Sequence, residues 1–322
     1  MITDYYCRGV LAKIVTSTPM SDGLNALAYN INSMLPAGSS ERLDFLGTIG
    51  PMREWQGTRQ ADQPIEYNFA IKNRKFERSV RLPLDWIKND KTSNVGMSLS
   101  QLGQRMAQWK AKMLCDLLNN ATSASDPYKA FDGLAFYSAS HAYGVGGNVA
   151  VNNIVSITTA AGPTLPTPYE LAKGIAKAYQ AIYGFLDDRG EPINEDITSL
   201  TLAVPVIAGS QLAASAIQAI NNPKLDTGSG SVDNPVFGLK ASLSSLNILA
   251  SPRLTGNQMH LINTSGNAVP LVFQENVGER LMSAKGAGSD FEHDNDAWEY
   301  GVKTVGAAGF GRFTDAVQIT VA

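Results

Sequence analysis

The feature that most restricts the fold of this chain is a regular alternation of apolar and polar residues in two neighbouring segments, 65–71 and 76–84. The apolar members are Ile65, Tyr67, Phe69 and Ile71, then Phe76, Val80, Leu82 and Leu84. A period of two over this length predicts strands with one apolar face. The intervening Lys72-Asn73-Arg74-Lys75 contains an Asn, which tolerates the left-handed geometry of a turn. We therefore expect a long β-hairpin over 63–86. Because an isolated hairpin is marginal in water, it should rest on another surface.

The rest of the sequence predicts an α+β chain. One long amphipathic helix is expected over 98–119, with Ser98 as its cap and Asn119 and Asn120 as its stop, because apolar residues recur there at three–four spacing. A second helix should follow the Thr167-Pro168 pair, where Thr caps and Pro occupies the first turn. The other expected elements are a short helix at 22–35, a strand at 200–204, a helix at 206–220, a flexible loop at 221–234, and strands at 246–249, 258–262, 269–273, 280–283, 298–305 and 316–321.

The composition limits the possible functions of this 322-residue chain. Its charged fraction of 17% is below the roughly one quarter usual for globular proteins, a weak indication of surface hidden by assembly. The net charge of −3 lacks the basic excess of a protein that coats DNA. Cys7 and Cys115 are expected to be reduced thiols. The start of the chain does not resemble a signal peptide, and Pro205 and Gly209 interrupt its most apolar stretch, so we expect a cytoplasmic product outside membranes.

No catalytic or metal-binding motif emerges from the sequence. There is no Gly-Lys pair for a phosphate loop, no nucleophile elbow, and no zinc spacing, and the three histidines, His141, His260 and His293, are far apart. The acidic segment 290–296 is the best metal candidate, but it lacks the spacing of a calcium-binding loop and is expected to be a solvated acidic loop. We therefore expect no enzyme activity, no cofactor and no metal.

Charge is distributed unevenly along the chain. Five basic residues and one acid lie between Lys72 and Arg81, whereas 187–196 and 290–299 are acidic. Each segment is either simply a solvated face, or the basic hairpin tip docks on an acidic patch of a neighbouring copy and sets the register of assembly.

Three groups of residues carry a resemblance to a known family. They are Gly50-Pro51-Met52-Arg53-Glu54-Trp55-Gln56-Gly57-Thr58-Arg59 with Ile71-Lys72-Asn73-Arg74-Lys75-Phe76-Glu77; Phe131-Asp132-Gly133 with Phe136-Tyr137 and His141; and Pro270-Leu271-Val272-Phe273-Gln274-Glu275 with Trp298-Glu299-Tyr300-Gly301-Val302 and Gly309-Phe310-Gly311. In this order, over 46–142 and 240–322, they resemble the Mu-like phage major head subunit family. That family is similar to the wider tailed-phage capsid fold, called Hong Kong 97-like.

The resemblance implies a domain organisation. It consists of an N-terminal arm (1–45), an extended loop (46–88), a peripheral domain (89–165) with the spine helix at 98–119, an axial domain (166–275), and C-terminal strands of the peripheral domain (276–322). The implied function is that of a major capsid protein, which self-assembles as hexamers and pentamers into an icosahedral head. The head would enclose double-stranded DNA that is contacted weakly and without sequence specificity, in a virion assembled in the host cytoplasm.

Implied partners are other copies of the chain, a portal, a scaffold and cement proteins. The residues expected at contacts between copies are Met52, Arg53, Trp55, Lys72, Asn73, Arg74, Lys75, Arg78, Arg81 and Trp86. Trp55 and Trp86 are either anchors of such contacts or ordinary core residues. Two other functions remain open: an encapsulin-like compartment with a protein cargo, and an α+β hydrolase or binding module.

Overall fold

The computed structural model describes residues 23–46, 57, 66–89, 94–144, 147, 149–228, 230–266 and 268–322. It confirms an α+β fold. The strands are β1 (Ala28–Asn32), β2 (Ser40–Leu46), β3 (Glu66–Lys72), β4 (Arg74–Pro83), β5 (His141–Tyr143), β6 (Val149–Val151), β7 (Ile154–Ile157), β8 (Ser199–Pro205), β9 (Lys224–Asp226), β10 (Ser231–Asp233), β11 (Ser245–Ser251), β12 (Gln258–Asn263), β13 (Leu271–Lys285), β14 (Ala297–Phe310) and β15 (Ala316–Val321). The helices are α1 (Leu84–Lys88), α2 (Asn94–Ala107), α3 (Trp109–Asn119), α4 (Pro168–Tyr183), α5 (Leu212–Asn221), α6 (Pro235–Ser242) and α7 (Asp290–Asn295).

A five-stranded sheet of order β11-β8-β12-β15-β7 organises the main hydrophobic core. Helices α4 and α5 pack against this sheet. The start of α4 is as predicted: the Thr167 hydroxyl accepts from the Glu170 amide, and the Glu170 carboxylate accepts from the Thr167 amide, which closes a capping box ahead of Pro168. The last strand, β15, pairs antiparallel with β12 and parallel with β7 in this sheet.

A four-stranded sheet of order β1-β13-β14-β4 forms the second layer. Helix α2 packs its apolar face on this sheet, with Leu99 and Leu102 in one cluster with Trp298 and Tyr300. This cluster is separate from the main core. Strands β1 and β4 lie at the two edges, so each has a single hydrogen-bonded neighbour within the described residues.

The predicted hairpin over 63–86 is wrong in its pairing, although both strands exist. Strand β3 pairs with β2 in the antiparallel register Ser40↔Lys72 to Leu46↔Glu66, and β4 pairs with β14. A single residue, Asn73, separates β3 from β4, and the expected turn is absent. The physical reason is that alternation reports which face of a strand is apolar and carries no information about which strand supplies the hydrogen bonds.

The predicted spine helix is divided into α2 and α3 at Gln108. Hydrogen bonds from the Gln108 amide to the Gln104 carbonyl (2.9 Å) and from the Lys112 amide to the Gln108 carbonyl (3.0 Å) continue through the break. The helix begins at Asn94, so Ser98 is not its cap, while its end at Asn119 is as predicted.

Other expectations also change. The expected helix at 22–35 is mainly β1, because this segment joins the sheet beside β13. The segment 206–211 is irregular before α5, with Gly209 at φ +80°. The loop at 221–234 contains the β9–β10 hairpin, and the strands expected at 269–273 and 280–283 form one long strand, β13.

Candidate assembly surface

The β2–β3 pair, called the ribbon below, packs against the two central strands of the four-stranded sheet. Phe69 and Ile71 at its base pack against Val272 and Ala307. The approach is so close that a Cβ at Gly309 would lie 2.5 Å from Ile71 Cδ1, which explains a glycine at this point of β14. The base is therefore fixed to its own chain through β3.

Asn73 is buried between the ribbon and the sheet, with 1% of its surface exposed. Its Nδ2 donates to Ser33 Oγ (3.0 Å) and to the Leu35 carbonyl (3.1 Å), and its Oδ1 accepts from Gln274 Nε2 (2.8 Å). Its main chain is bonded on both sides, to the Ser39 carbonyl and the Gly38 amide. The expectation that Asn73 contacts another copy is corrected, because its hydrogen-bonding groups are used inside the subunit.

The other basic-segment residues lie on the surface, with Lys72 at the end of β3 and the remaining four on the edge strand β4. Lys72, Arg74, Lys75, Arg78 and Arg81 are all exposed. No carboxylate in the described part of the chain forms an ion pair with any of them. These five residues, called the basic edge, place exposed cations along β4 and at its start, and in the described part of the chain β4 has no second hydrogen-bonded strand neighbour.

Among the residues that the structure describes, Arg81 at the far end of the basic edge has side-chain partners in its own chain. Arg81 Nη2 donates to the Asn295 carbonyl (3.2 Å), and its guanidinium lies 5.5 Å from the ring centroid of Phe291. Both partners belong to α7, so this end of β4 lies against the acidic segment of the same chain.

A groove of about 400 Å³ runs between the ribbon and α3. Lys72 and Arg74 line it with Asp116 and Asp126, and Asp126 pairs with Lys129 at 2.9 Å. The groove therefore offers charges of both signs beside the basic edge.

Trp86 is exposed by 65% of its surface on α1, so the core alternative for this residue is wrong. It lines a second groove, of about 480 Å³, with Leu82 and Val95. The remaining expected contact residues, Met52, Arg53 and Trp55, lie outside the described residues.

The two acidic segments differ. In 187–196, Asp187 and Asp188 are buried, and Asp187 Oδ1 accepts from the amides of Arg189 (2.8 Å) and Glu191 (2.9 Å), which makes it a turn-forming residue. The segment 290–299 contains α7, capped by Ser289, with Asp290, Asp294 and Asp296 exposed. These three residues, called the acidic tip, are the better candidates for a charged contact. Among the residues that the structure describes, no cluster of three metal-ligating side chains is found.

Sequence reasoning missed an apolar surface at one end of the five-stranded sheet. Leu165, Val206 and Ile207 are exposed in two adjacent loops, and neither 159–167 nor 206–211 contains a charged residue. The loops are joined by hydrogen bonds from the Gln211 amide (2.9 Å) and Ser210 Oγ (3.3 Å) to the Thr164 carbonyl. We call this surface the apolar tip. The sequence shows that both segments lack charge, but residues 206–211 were predicted to be the start of a helix over 206–220 and so were not recognised as a loop.

The buried titratable groups belong to the core. His260 Nδ1 lies 3.2 Å from Tyr137 Oη, and the two rings stack with centroids 5.4 Å apart. Burial lowers the pKa of His260 to about 4 and raises the pKa of Tyr137. His141 is held between Asp132 Oδ2 (2.6 Å from Nδ1) and the Phe136 carbonyl (3.1 Å from Nε2). Both histidines are enclosed by the chain, as expected for groups that support the fold.

Comparison with known proteins finds one matching family model and several solved structures with a similar fold. The family model described as "Mu-like prophage major head subunit gpT" matches residues 19–165. No curated protein sequence matches the chain.

Among solved structures, the mature capsid of bacteriophage PhiM1 is similar with a TM-score of 0.56 and 12% identity over 95% of this chain and 87% of that chain. The capsid of the cyanophage P-SCSP1u has a TM-score of 0.54 and 14% identity over 92% and 86%. A virus-like particle from Pyrococcus furiosus has a TM-score of 0.52 and 8% identity over 97% and 96%. At these identities the likeness shows the fold, which is Hong Kong 97-like. None of the helices in the described ranges has the length and apolar character needed to cross a bilayer.

Proposed function

From the family match and the capsid fold together, we infer that this chain is a major head subunit of the Mu-like phage kind, the major capsid protein that builds the icosahedral head and resides in the virion. The head is a shell of many copies, so the chemistry of this protein lies in the contacts between copies. The family match covers 19–165 and the fold extends over nearly the whole chain.

The observation that carries this proposal in the geometry is the ribbon. It is a two-stranded antiparallel pair of seven residues per strand, and β3 is anchored to its own chain through Phe69 and Ile71 at the base. A two-stranded pair is marginally stable alone in water. We propose that the ribbon completes its packing on a neighbouring copy, with Trp86 and its groove as a further contact.

We propose that the apolar tip closes the rings of six and five. Around a rotation axis each residue near the centre faces its own copies, so a charge there would repel itself. The apolar tip has exposed apolar side chains and no charge in either loop, which suits such a position.

We also propose that the basic edge of one copy meets the acidic tip of the next. Within one subunit the acidic tip lies near the Arg81 end of the basic edge, whereas Lys72, Arg74 and Lys75 lie at the other end, where β4 begins. Surfaces of opposite sign that are displaced from each other favour a head-to-tail contact, which generates a ring when the rotation closes.

The domain division stays a proposal, with an arm (1–45), an extended loop (46–88), a peripheral domain (89–165 and 276–322) and an axial domain (166–275). Its support is that the strands of the described ranges form two separate larger sheets, one of five strands and one of four. Because β15 pairs with β12 and β7 of the five-stranded sheet, we propose that the last strand belongs with the axial domain.

We propose a structural role without enzymatic turnover, which the structural nature of the family supports. Portal, scaffold and cement proteins are proposed partners. With a net charge of −3, the shell is proposed to enclose double-stranded DNA without gripping it, because strong binding to phosphates requires many unopposed cations.

An encapsulin-like compartment is the second candidate, because the virus-like particle from Pyrococcus furiosus shares the fold. The contents of particles produced with the neighbouring genes distinguish the two. Nuclease-protected double-stranded DNA would support the phage head. Particles that contain a specific protein and no protected DNA would support the compartment.

A further inference from the structure

An apolar loop between β1 and β2 lies on the surface at the base of the ribbon. Met34 is exposed over 87% of its surface, and Leu35, Pro36 and Ala37 are exposed beside it. The segment 33–40 contains no charged residue. We call Met34, Leu35, Pro36 and Ala37 the apolar knob. Single exposed apolar residues are common on protein surfaces, whereas a contiguous group of them marks a contact with a partner.

Buried carboxamides hold the knob in one conformation. Asn73 Nδ2 donates to the Leu35 carbonyl at 3.1 Å, and Asn276 Nδ2 donates to the same carbonyl at 3.3 Å. The Gly38 amide donates to the Asn73 carbonyl at 2.8 Å, with Gly38 at φ +91°, a backbone conformation that favours glycine. Because the loop is ordered before contact, little conformational entropy is lost when a partner binds it.

The groove beside Trp86, called the Trp86 groove, lies beyond the other end of β4. Trp86 is the third residue of α1, which begins directly after β4, and Leu82 and Val95 line the apolar floor of the groove. The knob is bonded to Asn73, immediately before β4. The ten residues of β4 span roughly 33 Å, so the knob and the groove of the same chain lie too far apart to touch.

The charges around the knob and the groove are of opposite sign. Arg74 and Lys75 are exposed beside the knob at the start of β4. Asp85 lines the groove, and the first amide of α1 donates to the Asp296 carbonyl at 3.0 Å, which joins α1 to the acidic tip. Helix α1 contains one cation, Lys88, against Asp85 and the three acids of the tip. Each surface thus has an apolar centre and a charged rim, the arrangement of a specific interface.

From this arrangement we propose that the apolar knob of one copy inserts into the Trp86 groove of a neighbouring copy. Met34 packs against the Trp86 indole, and the basic edge of the first copy faces the acidic tip of the second. Knob and groove are displaced along β4 in the same direction as basic edge and acidic tip, so one head-to-tail contact satisfies both pairs. The inference rests on the proposed shell function and identifies what fills the groove in that shell.

The knob supplies what the charged rim lacks. Exposed ion pairs contribute little to affinity, because water and salt screen them. A large apolar side chain that fills a groove next to an aromatic residue is the kind of central anchor that dominates the binding energy of an interface. The knob therefore provides the strength of the contact, and the charges provide its direction.

The first test is cross-linking of paired cysteines in assembled particles. Met34→Cys and Trp86→Cys are combined in a Cys7→Ser background, since Cys115 is buried, and a short bis-maleimide is added. A ladder of covalent multimers is expected from the double variant, and monomers alone from each single variant. Particles of the double variant that yield only monomers would overturn the proposal. Equal cross-linking of Met34→Cys with Phe237→Cys, an exposed apolar position on α6, would overturn it as well.

The critical concentration for assembly gives a second test that needs no cysteine. Met34→Ala and Trp86→Ala should each raise it about tenfold, as expected for the loss of a central anchor. The double variant should assemble no worse than the weaker single variant, because both changes remove the same contact. In the matched control, Met34→Ala with Phe237→Ala, the two effects should multiply. Effects that multiply for Met34→Ala and Trp86→Ala, or no effect of either, would overturn the proposal.

Two further readings separate this contact from the fold and from the proposed function. Met34 and Trp86 are exposed, so the alanine variants should keep the circular dichroism and unfolding midpoint of the natural subunit. Particle formation by the natural chain is scored by electron microscopy. If the natural chain forms particles and the two tests fail, only the knob–groove contact is wrong. If the natural chain forms no particles, the proposed function fails and this contact fails with it.

Discussion

Gln274 Nε2 donates a 2.8 Å hydrogen bond to Asn73 Oδ1, and through this contact the long strand β13 holds the junction between the ribbon and the edge strand. The same Nε2 donates to the Ile71 carbonyl at 2.8 Å. Both side chains are buried. One pair of carboxamides thus connects the part of the chain that reaches outward to the sheet that supports it.

Replacing Asn73 by Leu should destabilise the subunit by about 2–4 kcal/mol, because the Gln274 amide and the Leu35 carbonyl would lose a buried partner. Chemical denaturation of the unassembled subunit measures this. The matched control is Arg74→Ala, one residue along and exposed without an ion pair among the described residues, which should cost less than about 0.5 kcal/mol. Equal losses in the two variants would contradict the internal role of Asn73.

Acid should weaken the fold through His260. Its pKa in the folded chain is lowered to about 4, below the value of about 6.5 expected in the unfolded chain, so the unfolded state binds the proton more readily. The associated stability is fully present above pH ~6.5 and is lost as the pH falls toward ~4, by roughly 3 kcal/mol in all.

His260→Asn tests this effect, because a carboxamide can face Tyr137 Oη and does not titrate. The difference in unfolding free energy between the natural chain and the variant should shrink by roughly 3 kcal/mol from pH 7 to pH 4. If this difference stays constant from pH 7 to pH 4, protonation of His260 does not contribute to the loss of stability in acid.

Reversing Lys72, Arg74 and Lys75 to Glu should block assembly and leave the subunit folded, because these cations are exposed and the contact they make would be with another copy. Circular dichroism checks the fold and sedimentation measures assembly.

A second triple variant reverses the acidic tip, with Asp290, Asp294 and Asp296 changed to Lys. This variant by itself should not assemble, and combining it with the first triple variant should restore assembly. Normal particles from the first triple variant would eliminate the basic edge as a contact.

A charge placed in the apolar tip should prevent ring closure. Ile207→Asp would set like charges against each other around the axis, whereas Ile207→Asn, similar in size and uncharged, should assemble with a smaller loss. The measured quantity is the fraction of protein in rings or shells, and raising the salt concentration should partly rescue the Asp variant. If Asp and Asn reduce assembly equally at every salt concentration, self-repulsion is not the cause.

The sequence predicted the positions of helices and strands better than it predicted which strands and side chains contact each other. The alternation at 65–71 and 76–84 correctly predicted two strands, but their pairing depends on β2 and β14, which are far away in the chain. Asn is a residue type common in turns, but Asn73 is buried and forms hydrogen bonds with Ser33 and Gln274. The sequence could not predict this, because tertiary neighbours decide whether a polar residue is buried. The capping pattern Thr167-Pro168 needed only local contacts, and it was predicted correctly.

The sequence also predicted the exposure of some candidate contact residues correctly and that of others wrongly. Exposure of the basic edge and of Trp86 agrees with a role at the surface, whereas Asp187 and Asp188 looked like surface acids and are buried in a turn. The apolar tip is formed by two loops, 159–167 and 206–211, and only the folded chain brings them together. A charge-free loop is unremarkable by itself in a sequence, and it becomes informative beside a second one.

The measurement that tests the capsid assignment most directly is negative-stain electron microscopy of the purified chain after size exclusion, expressed alone and with its neighbouring genes. We expect closed shells, tubes or rings of six, with the folded triple variant of the basic edge remaining unassembled. A clean monomer in both preparations, without particles at any salt concentration, would contradict the assignment and favour a hydrolase or binding module.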